Sequence, residues 1–231
     1  MKKFIISAIT LICISGSMNA QDKLEQAGFY DSEIKTIETK SAGKSLIFFP
    51  MKHVGTEKFY NDIKSKIEIL KKEGYYFLYE KVTVDAKDEI TRRKLKKITG
   101  DIGISPEKGY VQLLKEHGVK MKEELLEQPS YSDFGLDESN SKNVDVTALD
   151  IVKYYEKNYG EIKLNKCEME NAITAKDSCR GKNLKKKYRK DAIVTFRDKV
   201  IVDGIIREKS DKIALIYGKG HLQGVLNKIN K

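Results

Sequence analysis

The chain has 231 residues, 40% of them hydrophobic and 34% charged, with a formal net charge of +10. That is enough for one α/β domain with a core of its own, and nothing in the composition calls for a second. The apolar stretch near the start is too short to span a membrane, which excludes an anchored reading of it.

Residues 1–20 have the layout of an export signal. Lys2 and Lys3 precede the apolar stretch 4–14, and small and polar residues 15–20 lead to Gln21. Ile12 stands ahead of Cys13 where a lipoprotein signal needs a small residue, so cleavage is placed near Ala20. The protein is then exported, to the periplasm or outside the cell, and residues 21–231 are the folded domain.

Residues 33–38 and 45–52 read as two strands joined by the turn-rich "KSAGK". The segment "SLIFFPM" is nearly all apolar, as in a strand buried on both faces. Thr56 then reads as a helix N-cap, with Tyr60, Ile63, Ile67 and Leu70 at helical spacing and Gly74 as the stop. The next strand is "YYFLYEKV", 75–82. Strand, helix and strand in that order make a βαβ unit and imply a parallel pair.

In the middle, 88–99 and 108–116 read as helices and 129–143 as a polar loop. Asp145 or Thr147 is placed to cap a helix ending at Tyr159. Cys167 and Cys179 match no zinc spacing. In an oxidising compartment they are expected to pair.

The basic excess is concentrated in "RGKNLKKKYRK", 180–190. A nucleic-acid face interleaves several aromatics, and this run has only Tyr188. With export, that argues for no nucleic-acid partner and for a solvated entry to a helix. Association with an anionic envelope surface stays open. A long helix is predicted over 186–209, a strand over 212–217 and a short helix from His221 onward. The long helix carries Arg197 on the stripe formed by Ile193, Val194, Val200, Ile201 and Ile205. A charge on that face needs a partner or a function.

Three polar residues fall where strands end. His53 follows the strand 45–52, Glu80 closes the strand 75–82, and His221 follows Gly218 and Gly220 after the last strand. In open α/β sheets ligands bind beyond the carboxyl ends of parallel strands. Two imidazoles and a carboxylate there suit either a divalent metal ion with open positions or a general base oriented by an acid. Gly218 and Gly220 are the backbone positions expected to approach a bound cofactor or ligand. A dinucleotide loop is not indicated, because that motif needs a further strand and an acid roughly 20 residues on, and the chain is too short for both.

The segments "PMKHVGT", "YYFLYEKV", "FRDKVIVDGII" and "IYGKGHLQGVL" together resemble the TraB/GumN family, which includes the Tiki metalloproteases. ChaN-like haem-binding proteins and erythromycin esterases belong to the same broad superfamily. The resemblance covers roughly 45–82 and 190–230 and implies a mixed, mostly parallel sheet flanked by helices. The family pattern falls on His53, Glu80, Arg197, Gly218 and His221, with Leu222 and Gly224 in step and Asp145 as a weak match to a mid-chain acid. Pro50 departs from it, standing where the first motif has glycine, and proline removes a backbone donor.

The resemblance implies a metal-dependent hydrolase acting on a peptide or small-molecule substrate. His53, Glu80 and His221 would be metal ligands or acid–base groups, and Arg197 would stabilise developing negative charge. The alternatives are a binder of haem or another ligand, with Tyr76 and Tyr79 as candidate iron ligands, and a degenerate member acting as an interaction module.

Overall fold

The computed structural model describes residues 20–41, 43–100, 109–116, 118–173, 179 and 184–229. Of the expected export signal only Ala20 falls among these. Residues 180–183 of the basic run and residue 108 of an expected helix lie outside them.

A short helix α1 (Ala20–Gln26) leads to the hairpin of β1 (Ile37–Ser41) and β2 (Lys44–Met51). Gly43 turns that hairpin with a φ of 78°, a region an L side chain rarely adopts. The first strand begins later than expected because Ile34 is a core residue instead. It is buried, and its N–H donates to Asp62 Oδ2 at 2.8 Å. After β2 come a two-residue strand β3 (Val54–Gly55) and helix α2 (Glu57–Lys72). Thr56 caps α2 as its sequence implies, its hydroxyl accepting from the Phe59 N–H at 3.1 Å. The chain then forms β4 (Tyr76–Tyr79), α3 (Glu89–Thr99), α4 (Tyr110–Glu116), β5 (Leu126–Glu127) and β6 (Ser141–Asn143).

The segment expected to be only a loop, 129–143, therefore ends in a strand. Its polar sequence Ser-Lys-Asn carries no strand signal, and it is held by parallel pairing to β4. Thr147, not Asp145, caps α5 (Ala148–Tyr159) through a reciprocal box with Asp150. After α6 (Lys166–Glu170), one long helical run contains α7 (Lys186–Lys190), a π-helical segment (Asp191–Thr195) and α8 (Phe196–Arg207). Strand β7 (Lys212–Gly218), a 3₁₀ turn (Lys219–His221) and α9 (Leu222–Ile229) complete the described chain.

The main sheet has the order β1-β2-β7-β4-β6, and β3 pairs with β5 in a separate two-stranded sheet. The pairs β2–β7, β7–β4 and β4–β6 are parallel, and β1 alone is antiparallel. The last strand in sequence is thus the middle one in space. Alternation along the strands builds two cores. Ile47, Phe49, Met51, Phe77, Ala214 and Ile216 pack under α2, with Phe134 and Leu136 of the 129–136 loop. Leu46, Phe48, Leu78, Ile213, Leu215 and Tyr217 pack against Ile201, Val202 and Ile205 of α8 and Val225 of α9. The expected architecture, a mostly parallel sheet between helices, is what these two faces produce. Pro50 is tolerated because β1 pairs with β2 only as far as Phe48, so no ladder is interrupted on that side.

A third cluster joins α3, α5 and the π segment through Leu95, Ile98, Ile151, Val152, Tyr155 and Ala192. Among the described residues no helix is long and apolar enough to cross a membrane.

Cys167 and Cys179 are bonded to each other, with their Cα atoms 5.7 Å apart. Closing a loop of this length restricts the unfolded chain by about 3 kcal/mol. The non-reduced protein is expected to show no free thiol at either position by mass spectrometry. Cys167→Ser is expected to lower the urea-unfolding free energy by about 3 kcal/mol.

Candidate functional site

Each of the four parallel strands delivers a polar residue at its carboxyl end. His53 comes two residues after β2, Glu80 directly after β4, Asp145 two residues after β6, and Gly218 with His221 at the end of β7. Helix α8 adds Arg197 and Asp198. The π segment lies directly before this pair. Its widened turn, with the Phe196 N–H bonded to Asp191 O, is pinned by the hydroxyls of Tyr154 and Tyr159, which donate to Asp191 Oδ2 at 2.7 and 2.5 Å. Segments of this kind recur inside helices at functional positions. Arg197 Nη1 donates to Ile193 O at 3.3 Å.

The centre is Arg197, 5% exposed. Its Nε and Nη2 donate to Asp145 Oδ1 and Oδ2 at 2.9 and 2.6 Å, a bidentate pair. Nη2 also donates to Glu80 Oε1 at 2.5 Å. With the bond to Ile193, four of its five N–H groups have acceptors. Arg197 therefore positions Glu80 rather than presenting an open fork to a ligand. Burial by itself would weaken the guanidinium as a base, and Glu80 and Asp145 more than reverse that, so it stays charged.

Glu80 is held from both sides, because its Oε2 accepts from the Gly218 N–H at 2.6 Å. A Cβ on Gly218 would stand 3.1 Å from that oxygen, which gives the glycine a steric reason. Gly220 has no neighbour within 4 Å of where a Cβ would sit, so nothing in the structure requires glycine there. Burial would raise the Glu80 carboxyl. Arg197 beside it, with smaller contributions from His221, His53 and the Gly218 N–H, outweighs that and brings it down to about 2.

His221 is buried and belongs to a second pair. Its Nδ1 lies 2.7 Å from Asp198 Oδ1, and its Nε2 lies 3.7 Å from Glu80 Oε1. Asp198, 3% exposed, is a member of this cluster that the sequence pattern did not single out. Its signal was its place on the same helical stripe as Ile201, Val202 and Ile205. Gly224 of α9 makes room for it, since a Cβ there would stand 1.9 Å from Asp198 Oδ2.

His53 is half-buried and stacks on Tyr110, with ring centroids 4.8 Å apart and planes within 9°. Burial pushes its imidazole below the ordinary range, Glu80 opposes this and Arg197 adds to it. His53 and His221 thus act on the same carboxylate from the ends of adjacent strands. Gly204 of α8 brings Val144 in against the helix, 3.0 Å from where its own Cβ would lie, and so sets Asp145 beside Arg197. The loop 129–136 closes over the cluster through Tyr131, whose hydroxyl donates to Glu80 O at 2.5 Å.

Among the described residues no three His, Cys, Asp or Glu side chains are gathered so as to hold a metal ion. The reason is visible at Glu80, whose two oxygens are taken by a cation and a backbone N–H. As arranged, the donor set does not fit a metal centre. Tyr76 packs on the α8 side of the sheet and Tyr79 on the α2 side, against Tyr131. They cannot share one iron.

Tyr217 completes the surroundings. Its ring is fully buried on β7, 6.0 Å from the His221 ring, and its hydroxyl has no hydrogen-bond partner among the described residues. A buried hydroxyl left unpaired costs about 1–3 kcal/mol.

No protein-family model, curated protein or solved structure matches the chain.

Two outcomes are expected from this geometry. Glu80 titrates near 2 folded against 4.5 in an unperturbed chain. As pH falls, the unfolded chain takes up its proton first, so this share of stability is present above pH 4.5 and is lost between there and about pH 2. Urea unfolding across that range should show the decline for wild type and a flatter acid limb for Glu80→Gln. Separately, Gly224→Ala should drive the Asp198 carboxylate away from His221. The expected readouts are a lower melting temperature and a changed His221 ring signal by NMR, whereas Gly220→Ala should leave both unmoved.

Proposed function

We propose that this protein is an exported hydrolase of the TraB/GumN type, cleaving an acyl bond in a peptide or small-molecule substrate with His221 as general base. The observation that carries the reading is the buried Asp198–His221 pair, with Nδ1 on the carboxylate at 2.7 Å and Nε2 turned toward Glu80. A carboxylate on one ring nitrogen orients the imidazole, leaves the other nitrogen to take a proton, and stabilises the imidazolium that forms. The disulfide supports the exported location, since such bonds persist in oxidising compartments.

In this reading a water molecule gives its proton to His221 Nε2 as its oxygen bonds to the acyl carbon. The tetrahedral adduct then expels the leaving group, which recovers a proton from the imidazolium. His53, neutral because burial holds its pKa down, is the second group available to pass a proton. Glu80 keeps a negative charge beside His221, and Arg197 with the Gly218 N–H fixes where that charge lies. In the metal-dependent form of the same reading, His53, Glu80 and His221 would be the ligands and the ion would supply a Lewis acid. The pairing of Glu80 with Arg197 weighs against that form.

The test is hydrolysis of p-nitrophenyl esters and a fluorogenic peptide mixture by the purified mature protein. His221→Asn and Asp198→Asn are each expected to lower kcat/KM by about 10²–10⁴ with the fold retained. EDTA is expected to leave the rate unchanged. Activity lost to EDTA and restored by a divalent ion would establish the metal-dependent form. Full activity in the His221 variant would sink the proposal, and so would no cleavage of either substrate set.

A further inference from the structure

Two tyrosine hydroxyls near the charge cluster have backbone partners. The Tyr131 hydroxyl donates to Glu80 O, and that of Tyr60 to Lys52 O at 3.1 Å. The hydroxyl of Tyr217 is sealed from solvent with no partner among the described residues. Phenylalanine would fill the same ring space, between Leu78, Ile201, Ile205 and Val225 of the same core, without leaving an oxygen unsatisfied. Folding therefore gives no reason for the hydroxyl.

Its position does. The ring lies edge-on to His221 at 80°, one residue before Gly218, whose N–H holds Glu80. The charges that act on it are those of Asp145, Glu80 and Arg197. We propose that the Tyr217 hydroxyl is a substrate-binding donor of this site, giving its hydrogen bond to an uncharged acceptor oxygen such as the carbonyl of an acyl substrate. This rests on the reading of the cluster as a site for acyl compounds. Burial first, and then the acidic neighbours, push the phenol well above its ordinary range, so it keeps its proton and acts only as a donor. An anionic ligand is disfavoured by the same neighbours, because three carboxylates, Glu80, Asp145 and Asp198, surround two cationic or basic groups, Arg197 and His221. A ligand entering the cluster has to displace some of the packing around it, and in return it meets a donor that no protein group uses.

The experiment compares wild type with Tyr217→Phe by two readouts. The first is thermal stability, where removal of an unsatisfied hydroxyl should leave the melting temperature equal or higher. The second is binding of 4-fluoroacetophenone, a carbonyl probe with no bond to hydrolyse, followed by ¹⁹F NMR. The variant is expected to bind it about tenfold more weakly. If the protein cleaves no ester or peptide yet binds the ketone in a Tyr217-dependent way, the donor site stands and the hydrolase reading falls. Equal binding by the two proteins, or no binding by wild type, overturns the donor role. A destabilised Tyr217→Phe variant that binds the ketone normally overturns it too, since the hydroxyl would then belong to a structural hydrogen bond.

Discussion

A guanidinium taken out of water has to be neutralised where it sits, and Arg197 meets that requirement with two carboxylates from two different strand ends. Breaking such a buried arrangement by removing one partner costs about 3–5 kcal/mol, more than most single contacts in a domain of this size. The constraint spreads outward from there. Glu80 follows β4 and Asp145 follows β6, so both strands must end at the height of one residue on α8. The other oxygen of Glu80 is bound to the Gly218 N–H, which ties in β7. One cation thus registers three parallel strands and the helix that leads into the central one.

The same arrangement explains why the cluster is costly to keep. Three carboxylates, an arginine and a histidine are concentrated where apolar packing would stabilise more, and Tyr217 adds a hydroxyl without a partner. Three glycines serve close approach, Gly204 beside Val144, Gly218 beside Glu80 and Gly224 beside Asp198. A helix is widened into a π turn just ahead of Arg197 and Asp198. Local concessions of this sort collect at functional positions, where the surrounding fold supplies the stability that they give up.

Much of the frame was legible in advance. The run 45–51 could only be a strand covered on both faces, and Thr56 and Gly74 bracket a helix by capping chemistry alone. His53, Glu80 and His221 were each recognisable from where their strands stop, and Arg197 from its place on an apolar stripe. Less legible were the pieces whose identity depends on a neighbour. Ser141–Asn143 has no apolar alternation and becomes a strand only because β4 offers an unpaired edge. Asp198 lies on the apolar stripe of α8, and only the packing of the turn before α9 gives that acid its partner, His221. Gly220, which looked like half of a motif, has no steric role.

The sequence by itself determined the two-sided burial of the central strands, the helix caps, and the positions along the chain at which polar residues interrupt apolar runs. These follow from side-chain period and backbone chemistry, which act over a few residues. Only the tertiary structure decided which of those polar residues meet. The strand that comes last in the chain is inserted between β2 and β4, and this brings Gly218 to Glu80 across 138 positions, while the turn after it brings His221 to Asp198 across 23. It also decided that Glu80 should answer to Arg197. A carboxylate can satisfy a metal ion, a guanidinium or a backbone N–H equally well, and which of them it holds depends on what the packing places beside it.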